Sequence, residues 1–194
     1  MFESSSMGRS ALILSALRSV ERFQGRVKVQ KILYLADLCG WNAICDYRYY
    51  NYGPYSEAVT TELENFRRNG WVEESPFTTT DGKLAYSYNL TKQGQRVAES
   101  LAAKLDSPSL VKKTMSLVKE LHGFSSDDLE MMATLVFLRR SEPSLSDSEL
   151  IDRVVELKPR FERNRIVDNL KAFNILKNFG YAGRVQSETS LPIA

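Results

Sequence analysis

The chain has 194 residues, 43% of them apolar and 26% charged, with a formal net charge of +2. That is an ordinary globular composition, and the charge balance gives no global electrostatic case for nucleic acid. No apolar run approaches the roughly 18 residues that a membrane span needs, and the polar stretch 1–8 lacks the basic-then-apolar layout of a signal peptide. Two cysteines, Cys39 and Cys45, form neither a disulfide framework nor a metal pattern, so reduced buried thiols in a cytoplasmic protein are expected.

In chain order, Leu12, Ile13, Leu17 and Val20 recur at helical spacing and predict a helix over 10–23. Gln24-Gly25 breaks it. A second helix is expected over 27–38, with Val27, Ile32, Leu35 and Leu38 inward, Val29 and Leu33 at the stripe's edge, and Lys28 and Lys31 off it. Gly40 would end that helix. The tyrosine-rich run 44–52 reads as a strand, with Cys45, Tyr47 and Tyr49 on one face and Arg48, Tyr50 and Tyr52 on the other. Gly53-Pro54 would then turn the chain, with Pro54 in the first turn of a helix that buries Val59, Leu63 and Phe66 and stops at Gly70.

Next comes the pattern of a wing. Trp71-Val72 opens a strand, Asp81-Gly82 suits a tight hairpin turn, and Leu84, Tyr86, Tyr88 and Leu90 alternate with smaller or polar residues. Pro76 marks the first of these strands as an edge. Thr91 is placed to cap a helix reaching Leu105.

Ser107-Pro108 reads as a boundary. Helices are expected over 108–121, 126–140, 147–157 and 161–178, with a capping box at Ser146 and Glu149. The fold class expected is mainly α (α+β): a winged-helix-like half over 1–105 with a small antiparallel sheet, a helical domain over 106–186 packed on it, and a mobile tail over 187–194. A short strand over 181–185 is too brief to assign. The stretches 60–71 and 166–181 echo one another, each an apolar-striped helix ended by Gly and an aromatic residue. Paired winged units and ordinary glycine caps both account for the echo.

Together, 27–38, Tyr52-Gly53-Pro54-Tyr55-Ser56, Gly70-Trp71, Leu90-Thr91-Lys92-Gln93-Gly94 and Glu156-Leu157-Lys158-Pro159 form a pattern that resembles the YwgA-type family of uncharacterised bacterial proteins. More distantly it is similar to the Panacea domain of SocA-like antitoxins. The resemblance spans about residues 10–180. It implies a non-enzymatic module that acts on protein partners, such as a toxin or a protease. It carries over no catalytic residue.

The chemistry-bearing residues point the same way. The only histidine, His122, sits beside Gly123 at an expected helix end, where a cation suits the dipole. One histidine and two unpaired cysteines supply neither a zinc site nor a nucleophile pair. The glycines match no phosphate-binding spacing, so no cofactor, metal or catalytic set is expected. Asp127-Asp128 reads as first-turn charge at a helix N-terminus.

Two surfaces remain as candidates. The first is a partner-binding corner of Arg48, Tyr50, Tyr52, Tyr55 and Arg67, because rigid tyrosines flanked by arginine are the residue types that anchor protein interfaces. Packing of a strand against helices is the competing account of the tyrosines. The second would serve a DNA-binding winged-helix regulator, the alternative function. Over 160–184 six basic residues, Arg160, Arg163, Arg165, Lys171, Lys177 and Arg184, stand against Glu162 and Asp168. A solvated helix face is the competing account there. The helix after Pro54 suits DNA poorly: Glu57, Glu62 and Glu64 crowd its N-terminal part, and about fourteen residues separate it from the preceding helix, where DNA readers use about 3–4. A membrane partner is not expected, and the sequence leaves the oligomeric state open.

Overall fold

The structure is a computed structural model that describes residues 5–41, 44–79, 82–105 and 107–181. It is mainly helical with a three-stranded and a two-stranded antiparallel sheet. Helix α1, Ser5–Arg18, leads into a two-residue strand β1, Phe23–Gln24, and then helix α2, Arg26–Asp37. A hairpin of β2, Arg48–Tyr50, and β3, Gly53–Tyr55, precedes helix α3, Glu57–Arg68. Strands β4, Val72–Thr78, and β5, Leu84–Leu90, follow, then helix α4, Lys92–Lys104.

In the larger sheet β5 is central, flanked by β1 and β4. Phe23 pairs with Tyr88, and β4 runs against β5 from Val72 opposite Leu90 to Thr78 opposite Leu84. Pro76 therefore lies on an edge strand, as its missing donor requires. Gly82 is at the hairpin tip with positive φ, while Asp81, the other expected turn residue, lies outside the described residues. The expected apolar face of β5 is buried only towards its C-terminal part: Tyr88 is buried, Tyr86 is half-buried, and Leu84 is 67% exposed.

The second half supplies α5, Pro108–His122; α6, Ser126–Ser141; α7, Asp147–Leu157; α8, Arg163–Asp168; and α9, Lys171–Asn178. The continuous helix expected over 161–178 is broken. Asn169 is buried, and its side-chain amide donates to the Arg165 carbonyl at 2.9 Å and towards Asp128 at 3.3 Å. The bonds Ala172 N–H to Asn169 O and Phe173 N–H to Leu170 O then tighten the chain into turns. The stretch 181–185, too short to assign from sequence, lies outside the described residues apart from Tyr181, as do Arg184 and the tail.

Side-chain capping explains where four of the helices begin. Ser56, Thr91, Ser125 and Ser146 each accept from a first-turn backbone N–H, and Ser146 with Glu149 forms the full capping box. The echo between the halves is a shared helix ending. Trp71 N–H donates to Phe66 O and Gly70 N–H to Arg67 O; Tyr181 N–H donates to Leu176 O and Gly180 N–H to Lys177 O. This is the same pair of bonds closing both helices.

One buried apolar cluster runs through α1, α2, α5 and α6, and a smaller one joins α6, α7 and α8. At the centre is α2, which touches α1, α5, α6, β1, β3 and β5. It is buried on all sides from Val29 to Asp37, so the one-sided stripe expected from its sequence is wrong. Lys31, expected on the solvent side, is 1% exposed, because α6 and β3 cover that side of the helix.

Candidate functional site

The run 44–52 alternates as expected. Cys45 and Tyr47 are buried and Tyr49 half-buried, while Arg48, Tyr50 and Tyr52 are exposed. Only Arg48–Tyr50 is a strand, however, and its partner is Gly53–Tyr55. Asn51 and Tyr52 make the turn, not Gly53-Pro54. Pro54 faces Tyr49 in the ladder instead of opening α3, and Ser56 is the cap. Gly53 adopts φ 81°, and a Cβ there would stand 3.0 Å from Thr134 Oγ1, so the hairpin lies close on α6.

Three backbone or side-chain anchors hold this corner from behind. The Lys31 ammonium donates to Pro54 O at 2.5 Å, and the Lys158 ammonium donates to Asn51 O. Gln30 bonds Ser56 twice, its amide donating to the carbonyl and its oxygen accepting from the N–H, both at 3.0 Å. Lys158 also pairs with Glu130 at 3.0 Å, and Glu130 accepts from Arg160 at 2.7 Å. Burial pulls the Lys31 amine down to about 7, with Glu130 opposing the fall and Lys158 adding to it.

In front of these anchors is a cleft of about 460 Å³ between α2, the hairpin, α3 and the larger sheet. Tyr50, Tyr52 and Tyr55 line it from the hairpin, Leu63, Glu64 and Arg67 from α3, and Tyr88 and Glu74 from the sheet. Lys31 also touches it but is 1% exposed. Tyr50 is 45% and Tyr52 56% exposed, and Tyr55 is half-buried with its ring edge-on to Tyr50 at 5.5 Å. The Tyr55 hydroxyl is 2.7 Å from Thr60 Oγ1. Four of the five residues expected at a partner surface therefore meet around one cleft. The fifth, Arg48, lies in a smaller adjoining depression that Tyr50 and Tyr55 also line.

The charges of the cleft are largely internal pairs. Arg67 makes two bonds to Glu64, which Arg68 also contacts, and these hold the Glu64 carboxyl down at about 2. Arg26 bonds Glu74 at 2.9 Å, and the Tyr88 hydroxyl donates to the same carboxylate oxygen at 2.7 Å.

The basic residues expected to meet nucleic acid are distributed differently. Arg160 pairs with Glu130 and Asp127, Arg163 with Asp152, and Arg165 with Asp127 and Asp128. Lys171 lies 4.9 Å from the centre of the Phe124 ring, and Lys177 is exposed. Asp127 and Asp128 do occupy the first turn of α6, and they also receive these arginines.

The sequence reading missed Lys31, Glu130 and Lys158. They lie far apart along the chain; Lys31 and Lys158 each fall within a recognised motif, and Glu130 falls in none. His122 is at the end of α5, where Lys28 donates to its carbonyl at 2.6 Å; its ring contacts Arg22 O at 2.9 Å and Phe23 edge-on. Burial lowers its pKa. Cys39 and Cys45 are unpaired and buried, and burial raises both thiols, Cys39 to about 12. Among the described residues no group of three or more His, Cys, Asp or Glu could hold a metal, and no helix is long and apolar enough to cross a membrane.

No family model matches the chain. It is similar to the uncharacterized protein YwgA of Bacillus subtilis, with 28% identity over 136 residues, which is 70% of this chain and 75% of that protein. The match supports a YwgA-like family; a link to the Panacea domain rests on the sequence motifs alone.

Proposed function

We propose that the protein is a non-enzymatic bacterial regulatory or adaptor protein that acts through protein–protein contact, antitoxin-like in the manner the Panacea resemblance implies, with its partner seated in the tyrosine-lined cleft. The observation that carries this reading is the pairing of exposed tyrosines with a fixed backbone. Tyr50 and Tyr52 present aromatic surface to solvent, while Lys31 and Lys158 clamp the carbonyls of Pro54 and Asn51 behind them. Rings presented from a fixed backbone lose little conformational entropy on binding. The order α1, β1, α2, α3, β4, β5, with the hairpin inserted after α2, supports a winged-helix-like first half. Such a half would also suit a DNA-binding regulator, but the ion pairs of Arg160, Arg163 and Arg165 weigh against phosphate contacts there.

The test is capture of the partner from cells of the source bacterium with wild-type protein and with Tyr52→Ala and Tyr55→Ala. Each variant is expected to lose about 1–2 kcal/mol of partner affinity while keeping its helical circular dichroism. Full recovery of the partner by both variants overturns the reading. Salt-sensitive binding of duplex DNA that Arg163→Ala with Arg165→Ala abolishes would favour the regulator instead.

A further inference from the structure

The cleft does not end at its tyrosines. A smaller depression of about 140 Å³ adjoins it, lined by Asp46, Arg48, Tyr50, Tyr55, Glu57 and Ala58, and Tyr50 and Tyr55 wall both. The rings of these two tyrosines meet edge-on at 75°, with centres 5.5 Å apart, so together they make an aromatic corner. The smaller depression has room for a single long side chain, and the larger, at about 460 Å³, for more.

The charges of the two depressions nearly balance, and the one left over is negative. Every lining arginine has a lining carboxylate: Arg26 is 2.9 Å from Glu74, Arg67 is 2.7 Å from Glu64 and Arg48 is 3.7 Å from Asp46. Lys31 adds no accessible charge, being 1% exposed with its ammonium on the Pro54 carbonyl. Glu57 is the remainder. It is exposed, and it pairs with no cation among the described residues. Nor does it cap α3, because the Ser56 hydroxyl accepts from the Val59 N–H. The helix dipole favours an acid in that first turn, yet the carboxylate itself stays open to a ligand. A free carboxylate beside two tyrosine rings attracts an ammonium or a guanidinium.

We infer that this surface takes a basic–apolar peptide segment of a protein partner. A lysine or arginine side chain of that segment enters the smaller depression, against Tyr50, Tyr55 and Glu57. A neighbouring apolar or aromatic side chain lies in the larger cleft, against Tyr52 and Leu63. This rests on the reading of the cleft as the partner site and adds the chemistry of the occupant. Two depressions that share a wall suit an extended chain, whose successive side chains reach different pockets. Arg48 is the one lining cation that the incoming side chain would meet. Its 3.7 Å approach to Asp46 is loose, and at 67% and 73% exposure the two side chains are free to move aside.

Random peptides displayed on phage and panned on the full-length protein provide the probe, with affinities then measured on synthetic copies. The enriched sequences are expected to place Lys or Arg close to Trp, Phe, Tyr or Leu. Exchanging that basic residue for Gln should weaken binding to wild type about tenfold, and binding to Glu57→Gln much less. Glu57 is exposed, so its exchange removes the charge without disturbing the core. Glu73→Gln, which removes an exposed acid that lines neither depression, should bind like wild type. Enriched peptides without a basic residue, or basic peptides that Glu57→Gln binds as tightly as wild type, would overturn the inference. Equal losses in Glu57→Gln and Glu73→Gln, the mark of general charge attraction, would do the same. If peptides without a basic residue still lose binding with Tyr52→Ala or Tyr55→Ala, the cleft remains the partner site. Peptides indifferent to both tyrosine exchanges would remove the partner site as well. Failure of any peptide to enrich would reject an extended segment as the occupant and leave the partner reading to the capture experiment.

Discussion

Lys158 Nζ lies 3.0 Å from Glu130 Oε1, and both side chains are almost wholly withdrawn from water, at 4% and 2% exposure. The pair joins the residue that follows α7 to the N-terminal part of α6, and the same ammonium holds the Asn51 carbonyl at the tip of the tyrosine hairpin. A pair this deep need not add stability relative to an apolar replacement, but breaking it leaves a charge stranded.

Glu130→Gln and Lys158→Met are therefore each expected to cost about 3 kcal/mol or more. The double variant should cost clearly less than the two together, since no lone lysine or glutamate charge then faces its missing mate. Arg160→Gln should cost less than either, because that arginine is half exposed. Urea unfolding of the four proteins measures the cycle. Strictly additive losses would mean that the two groups do not act as a unit.

Gly94 gives a prediction of a different kind. It is in the first turn of α4, and a Cβ there would lie 2.0 Å from the Trp71 carbonyl oxygen. No rotamer relieves a clash of Cβ with backbone, so α4 or the start of β4 must move. Gly94→Ala is expected to destabilise by about 2 kcal/mol or more, despite the better helix propensity of alanine. Gly82→Val in the β4–β5 connection, where nothing lies within 4 Å, should cost on the order of 1 kcal/mol from its positive φ alone. Thermal unfolding ranks the two; a Gly82→Val loss larger than that of Gly94→Ala would contradict the packing argument.

These glycines mark what the sequence made legible. Hairpins, caps and glycine endings are local, so the β4–β5 hairpin, the caps at Thr91 and Ser146 and the alternation of 45–52 could be read from neighbouring residues. The Gly94 motif was recognisable, but its cause, the Trp71 carbonyl, belongs to another element. The burial of Lys31 was not legible, because it depends on α6 and β3 covering a face that periodicity assigns to solvent. The break at Asn169 escaped for a similar reason: its amide turns inward only because Asp128 of α6 is there to receive it. At the candidate site, the tyrosines were visible in the sequence while the cations that hold them were not.

Asp37 closes α2 and accepts from the Ile44 and Cys45 N–H groups at 3.0 and 2.9 Å. Asp37→Asn keeps the shape but replaces one acceptor by a donor, so one of those N–H groups loses its partner. A loss of about 1–3 kcal/mol at neutral pH is expected by urea unfolding. Burial raises the Asp37 carboxyl from 3.8 to about 6 against the pull of those two N–H groups. The folded chain thus binds more protons than the unfolded one between these values, and the contribution of Asp37 to stability falls as pH rises from about 4 through 6. The Asn variant should lack that part of the slope.

Lys31 has the opposite dependence in another window. Its amine falls from 10.5 to about 7 on folding, chiefly through desolvation. Between those values the folded chain binds fewer protons than the unfolded chain. The stability gained by holding Lys31 neutral is therefore complete above pH 10.5 and is lost as pH falls through about 7, where the buried amine must take up a proton. Unfolding free energy should rise with pH across that window in the wild type, after other titrations are matched by comparison with Lys31→Met. In the variant the slope should be smaller, because the thioether carries no proton in either state. Equal slopes in the two proteins would show that Lys31 keeps its charge in the folded chain, with a counter-ion other than Glu130 at its side.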